Sequence, residues 1–221
     1  MQIFDELTIG IEEEYQIIDT ESRELTSFIT EFMEQGAILF NENVKPEFLQ
    51  SQIEVGSSVC KDIQEARNEI CRLRNLVSDI AAKNKCQIIA AGTHPFSKWE
   101  DQLVTNNERY MGLLDSMQIV AKRLLIFGMH VHIGIKDPDL RIDIMNQMRY
   151  FMPHILSLST SSPFWWGQKT GFKSYRSIVF EDLPRTGIPE LFNSSVEYDQ
   201  YIDTLIKCGC IDEATKIWWD I

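Results

Sequence analysis

"TIGIEEEYQIID", Thr8 to Asp19, sets three adjacent carboxylates inside an apolar stretch. Its side chains alternate with period two. Gly10, Glu12, Glu14 and Gln16 fall on one face; Ile9, Ile11, Glu13, Tyr15 and Ile17 fall on the other. This is the pattern of a strand with one polar face. A buried ionised carboxylate costs several kcal/mol unless something pairs with it. Glu12 and Glu14 therefore need a common partner on the polar face. Glu13 needs a different one on the other face, such as a lysine or arginine, or else a wet edge.

Two more segments repeat the polar-faced pattern. "FLQSQIEVGSS", Phe48 to Ser58, puts Gln50, Gln52, Glu54 and Gly56 on one side. "FGMHVHIGI", Phe127 to Ile135, points His130 and His132 the same way. If the three strands are neighbours, carboxylate and imidazole groups line one surface of a sheet. Such a set, rich in oxygen and poor in histidine, suits Mg²⁺ or Mn²⁺; zinc favours more His or Cys. Divalent cations would offset the repulsion among the carboxylates. The plainer alternative is that the glutamates form the solvated side of a half-buried sheet and that the histidine pair is structural.

The remaining pattern is helical and irregular. Residues 24–35 read as a short helix and 61–83 as a long amphipathic one, with Ile63, Ala66, Ile70, Leu73, Val77 and Ile80 on its apolar stripe. "CQIIAAG" (86–92) reads as a buried strand that ends in the turn Gly92-Thr93-His94-Pro95. Helices are expected over 106–124, over 138–160 with Pro153 kinking or restarting it, and over 195–207 behind an Asn193/Ser194 cap. The segment 163–190 reads as a long ordered loop, and "TKIWWDI" as the start of a strand. Strands and helices do not alternate regularly. The expected fold is α+β with a mostly antiparallel sheet, as a single domain over residues 1–221.

Composition narrows the function. The 221 residues are 44% hydrophobic and 24% charged, enough for a sizeable core, and the net charge is −12. That charge excludes a nucleic-acid or anionic-membrane surface, because both need a basic footprint. The five cysteines fit no zinc or redox spacing and read as reduced thiols. With no leader-like start and no apolar run long enough for a membrane span, a cytoplasmic protein is expected.

Seven stretches, in order, carry a resemblance: "GIEEEYQIID", "FLQSQIEVGS", "GTHPF", "NNERY", "GMHVHIGI", "LSTSSPFWWG" and "YRSIVFEDLPRTGIP". Together they resemble the type 2 glutamate–cysteine ligase family of carboxylate–amine ligases, relatives of glutamine synthetase. The resemblance implies a glutamine-synthetase-like catalytic domain: a curved, mostly antiparallel sheet with helices packed on one face. It implies ATP bound with Mg²⁺ (or Mn²⁺), and phosphorylation of a glutamate side-chain carboxylate. An amine such as cysteine then attacks the acyl phosphate. By motif position Glu12, Glu14 and Glu54 would be metal ligands, with Glu47 a further candidate and His130 the histidine ligand. His132 would contact substrate or nucleotide. Arg176 and Arg185 could fork onto a carboxylate or phosphate. Arg109 is a nucleotide-side candidate, with a structural salt bridge as its alternative. His94 could reach the site or be a turn histidine bonded to backbone.

The family pattern continues past "KIWWDI" with a "GTLEIR"-like strand, whose Glu and Arg would complete the site and which this chain does not contain. The expectation is an unpaired sheet edge, open to homodimer contact, and little ligase activity from the 221-residue chain alone. A non-catalytic nucleotide- or metal-binding remnant, or an interaction subunit, is the alternative of another class. A metal-dependent phosphohydrolase using the same carboxylates is a third.

Overall fold

The computed structural model describes residues 7–40 and 43–221. In chain order, the first half forms β1 (Thr8–Asp19), α1 (Ile29–Phe40), β2 (Val44–Pro46), β3 (Gln52–Gly56), α2 (Ile63–Lys83), β4 (Cys86–Ile89), α3 (Glu108–Met117), α4 (Ile119–Lys122) and β5 (Met129–Gly134). The second half forms α5 (Pro138–Met148), α6 (Met152–Ser159), β6 (Phe164–Trp165), β7 (Gln168–Lys169), α7 (Tyr175–Phe180), β8 (Thr186–Gly187), α8 (Ser195–Lys207) and β9 (Trp218–Trp219). These make two compact units. The larger comprises Thr8–Gly134 and Ser161–Val179; the smaller contains Ile135–Thr160 and Phe180–Ile221.

The larger unit is built around β1. One edge of β1 pairs with β3 over Glu12–Gln16. Its other edge serves two strands in succession, β5 over Thr8–Glu13 and β4 over Gln16–Asp19. Two partners along one edge explain why β1 needs 12 residues. β2 extends the sheet beyond β3, and all four pairings are antiparallel. The register matches the polar faces read from the sequence. Glu14 lies opposite Glu54, Glu12 opposite both Gly56 and His130, and Gly10 opposite His132.

The opposite face of the sheet is the core. Tyr15, Ile17, Ile53 and Val55 pack against Ile70, Leu73, Val77, Ile80 and Ala81 of α2 and Phe32 of α1. Each fully buried aliphatic or aromatic side chain here contributes about 2 kcal/mol. Asp62 caps α2 by accepting from Glu65 N at 2.8 Å. Glu13 sits on this apolar face at 6% exposure, and Arg74 of α2 is its partner. Burial alone would raise the Glu13 pKa. Hydrogen bonds from Arg74 and Tyr15, and the guanidinium charge, outweigh it and hold the carboxyl below its usual range.

Several elements differ from the sequence reading, each for a local reason. The first helix begins at Ile29, not at 24, because Leu25 bridges to Ile18 and Thr26 N donates to Ile17 O. The strand expected over 48–58 narrows to Gln52–Gly56. Beyond it, the chain leaves the ladder for separate contacts of Ser57 with Ile11 and of Cys60 with Ile9. The helix expected over 106–124 breaks at Gln118, whose φ is 49°. Pro153 restarts the helix as α6, in whose first turn it sits. The expected loop 163–190 holds the β6–β7 pair and the helix α7. β5 pairs only with β1 among the described residues, and its Met129, Val131 and Ile133 are exposed.

In the smaller unit Ser194 caps α8, and Asp139 at the start of α5 accepts from Ser195 N at 2.8 Å. Phe192, Tyr198, Tyr201 and Trp219 form an aromatic cluster. β8 and β9 pair in parallel. No described helix is long and apolar enough to cross a membrane, and the five cysteines are all free thiols.

Candidate active site

On the polar face of the sheet, oxygens of Glu14, Glu47 and Glu54 lie within 4.8 Å of one another. Glu14 and Glu54 meet because they are cross-strand neighbours in β1 and β3. Glu47 follows β2, where the chain turns toward β3. One oxygen of each of two carboxylates is held by the protein. Glu14 Oε2 accepts from Gly128 N at 2.6 Å. Glu47 Oε2 accepts from the Tyr110 hydroxyl at 2.7 Å and from Phe48 N. Among the described residues Glu14 Oε1, Glu47 Oε1 and both Glu54 oxygens accept no hydrogen bond.

This arrangement is electrostatically unfavourable by itself. Burial pushes the Glu14 carboxyl up to about 7; Glu47 and Glu54 add to the rise, and Gly128 N–H and Arg176 oppose it. Glu54 is raised by burial and by the charges of Glu12 and Glu47. Free carboxylate oxygens converging in a poorly solvated place fit a hard divalent cation, which would hold all three groups ionised. The donor set is all oxygen, the chemistry of Mg²⁺ and Mn²⁺.

Glu12, one register step along β1, belongs to an adjoining group. Its Oε2 lies 3.0 Å from His132 Nε2 and 3.5 Å from His130 Nδ1. The half-exposed His130 ring is crowded by protein, and this, with Arg176 nearby, lowers its pKa against the opposing pull of Glu12. The neutral imidazole favoured in this way is the form that ligates a metal. The sequence-derived ligands thus sort into two neighbouring groups, Glu14/Glu47/Glu54 and Glu12/His130, with His132 beside the second.

The arginines separate. Arg176 lies in the first turn of α7, not in a loop. Its N–H donates to Ser162 Oγ at 3.1 Å and its Nε to Phe127 O at 2.9 Å, which brings its charge to bear on Glu14. Arg109 begins α3 behind the Asn107 cap, and its charge offsets the rise at Glu54. Arg185 lies in the smaller unit, where its Nε donates to Lys216 O at 2.9 Å and its guanidinium stands over Trp218. His94 is buried, with Nε2 at 3.0 Å from Arg23 O and Nδ1 accepting from Ser97 N at 2.9 Å. It is the backbone-bonded turn histidine of the two alternatives.

A cleft of ≈ 900 Å³ is lined by Glu12 and His132 together with Gly10, Gly56, Lys45 and Ser57. Lys45 stands opposite Glu54 in the register.

Tyr110, Gly128 and Lys45 escaped sequence reasoning. Tyr110 falls within the helix expected over 106–124, yet its hydroxyl grips Glu47. The signal was a polar-tipped aromatic next to Arg109. Partners that orient ligating carboxylates typically carry 10–100-fold in metal affinity. Tyr110→Phe is expected to weaken Mn²⁺ binding about tenfold with little change in urea midpoint. Unaltered titration calorimetry would remove Tyr110 from that role.

The profile of glutamate–cysteine ligase family 2 matches residues 8–221. The chain belongs to glutamate–cysteine ligase family 2. A family 2 protein of Herpetosiphon aurantiacus, provisionally named glutamate–cysteine ligase 2, is 57% identical over 213 residues, covering 96% of this chain and 55% of its own length. A Roseiflexus protein with the same name is 53% identical over 214 residues, covering 97% and 56%. The chain thus spans about half the length of the curated relatives it matches. Among solved structures, a bifunctional glutathione synthetase from Pasteurella multocida aligns with a TM-score of 0.75 at 13% identity, over 98% of this chain and 32% of that one. A glutamate–cysteine ligase from Francisella tularensis, solved in complex with AMP, aligns at 0.67 and 15%, over 91% and 47%. These two show a shared fold.

Proposed function

We propose that this chain carries the metal and nucleotide half of an ATP-dependent carboxylate–amine ligase that forms γ-glutamyl amides in the cytoplasm. The observation that supports this most is the convergence of Glu14, Glu47 and Glu54 oxygens within 4.8 Å, in a family 2 chain. Glu14, Glu47 and Glu54 would hold one divalent cation, and Glu12 with His130 a second. Bound Mg²⁺ (or Mn²⁺) would neutralise charge on the triphosphate and on the transferring phosphoryl group.

The cleft beside Glu12 and His132 is roomy enough for a nucleoside. Among the described residues its lining has one acid, Glu12, and no arginine, which is not the fork expected for an amino-acid carboxylate. A nucleotide lying there would pass Lys45 and His132 on the way to the carboxylates. Arg176, beside Glu14, would meet the phosphates. A glutamate side-chain oxygen attacks the γ-phosphorus and ADP leaves. The acceptor amine, cysteine or another, then attacks the acyl carbon, losing a proton as inorganic phosphate departs.

The test has two arms: Mg·ATP binding by the 221-residue chain, and turnover by the longer Herpetosiphon aurantiacus relative with glutamate and a panel of amines. ADP formation that depends on both glutamate and an amine supports the ligase. ADP released without any acceptor favours a phosphohydrolase. Absence of nucleotide binding and of turnover sinks both.

A further inference from the structure

Gly128 adopts no left-handed backbone conformation, so its lack of a side chain answers to space and not to φ. The space is occupied. A Cβ at this position would lie 2.7 Å from Arg176 Nη2, 3.5 Å from Arg176 Cζ and 3.5 Å from Glu14 Oε2. The adjoining backbone grips both neighbours. Phe127 O accepts from Arg176 Nε at 2.9 Å, Gly128 N donates to Glu14 Oε2 at 2.6 Å, and Gly128 O accepts from Glu14 N at 3.0 Å. Gly92 closes the other side, where a Cβ would come within 3.2 Å of Arg176 Cβ and 3.1 Å of Ser162 Oγ.

We propose that Gly128 is a positioning residue: the hollow left by its missing side chain seats the Arg176 guanidinium beside Glu14, as the protein's own cationic receptor for the phosphates of a metal-bound nucleotide. The proposal rests on the ligase reading for the identity of that anion. The dipeptide Phe127–Gly128 sets the spacing of a fixed cation and a fixed carboxylate through main-chain atoms, which do not change rotamer. A methyl group at 128 meets the far end of a flexible side chain, so the protein folds and the guanidinium moves. Gly128 touches no substrate in this account; it acts through Arg176.

The experiment measures binding of a fluorescent N-methylanthraniloyl ATP with Mg²⁺ to the parent, Gly128→Ala, Arg176→Ala and the double variant. Gly112→Ala, at a helix position where a Cβ meets nothing within 4 Å, is the control. Each single substitution at 128 or 176 is expected to weaken binding about tenfold, and the double variant to be no weaker than Arg176→Ala alone, because residues acting as one unit are non-additive. Parent-like binding by Gly128→Ala, or losses that multiply in the double variant, would overturn the proposal. If the parent itself binds no labelled nucleotide, the nucleotide-binding arm of the ligase reading fails separately. The side-chain ¹⁵Nε–¹H resonance of Arg176 then decides the positioning role. It should be protected from exchange in the parent and unprotected in Gly128→Ala; protection in both overturns it.

Discussion

Glu14→Gln is expected to yield a metal-free protein more stable at pH 8 than its parent, and one that no longer competes for Mn²⁺. The sign follows from linkage. Burial pushes the Glu14 carboxyl up to about 7 in the folded chain, against a usual 4.5. Between those values the folded state holds a proton that the unfolded state has released. Stability of the metal-free parent therefore falls as pH rises through that window, and levels off above 7. A shift of that size corresponds to about 3 kcal/mol. The neutral amide avoids it, keeps an oxygen for Gly128 N–H, and removes one charge from the cation site. Urea midpoints at pH 5 and pH 8 measure the effect: the parent should lose more stability across the interval than Glu14→Gln does. A variant that is the less stable one at pH 8 would mean that the carboxylate is already compensated by something other than a metal. Saturating Mn²⁺ should restore the parent at pH 8 and leave the variant unmoved.

Glu12→Gln and Glu13→Gln should separate chemistry from folding, although the residues are adjacent. Glu12 faces His130 and His132 on the polar side. Glu13 faces Arg74 and Tyr15 in the core. In the equivalent positions of a longer family 2 relative, Glu12→Gln should lower turnover about a thousandfold, as expected when charge that neutralises a phosphoryl transition state is lost. Glu13→Gln should leave turnover within a few-fold, and cost about 2 kcal/mol of stability by weakening a buried, charge-assisted pair. Steady-state kinetics and urea unfolding on the two variants test this. If Glu13→Gln is the one that stops turnover, the catalytic face of β1 has been assigned to the wrong side.

The face assignment was legible because strand alternation is a local property. Period two over Thr8–Asp19 separates Glu12 and Glu14 from Glu13 with no knowledge of neighbours. The arginine partner expected for Glu13 is Arg74, 61 residues away. Its identity was not legible, since the charged face of α2 offers several candidates and only packing selects one. Gly128 was silent for the same kind of reason. A glycine inside the strand expected over 127–135 reads as one more strand residue, and its use becomes visible only when α7 delivers Arg176 into the vacant volume. Arg176 stands out in the sequence but its segment reads as loop, because a six-residue helix is too short to show a period. The break at Gln118, with its positive φ, has no glycine or proline to announce it.

The proposed function depends above all on one divalent-cation site made by Glu14, Glu47 and Glu54. Electron paramagnetic resonance of Mn²⁺ titrated into the 221-residue chain at pH 8 tests it most directly. Saturable loss of the free-ion signal is expected in the parent, and no such loss in the triple variant Glu14→Gln/Glu47→Gln/Glu54→Gln, provided its circular dichroism matches the parent. A folded triple variant that takes up Mn²⁺ as the parent does would contradict it.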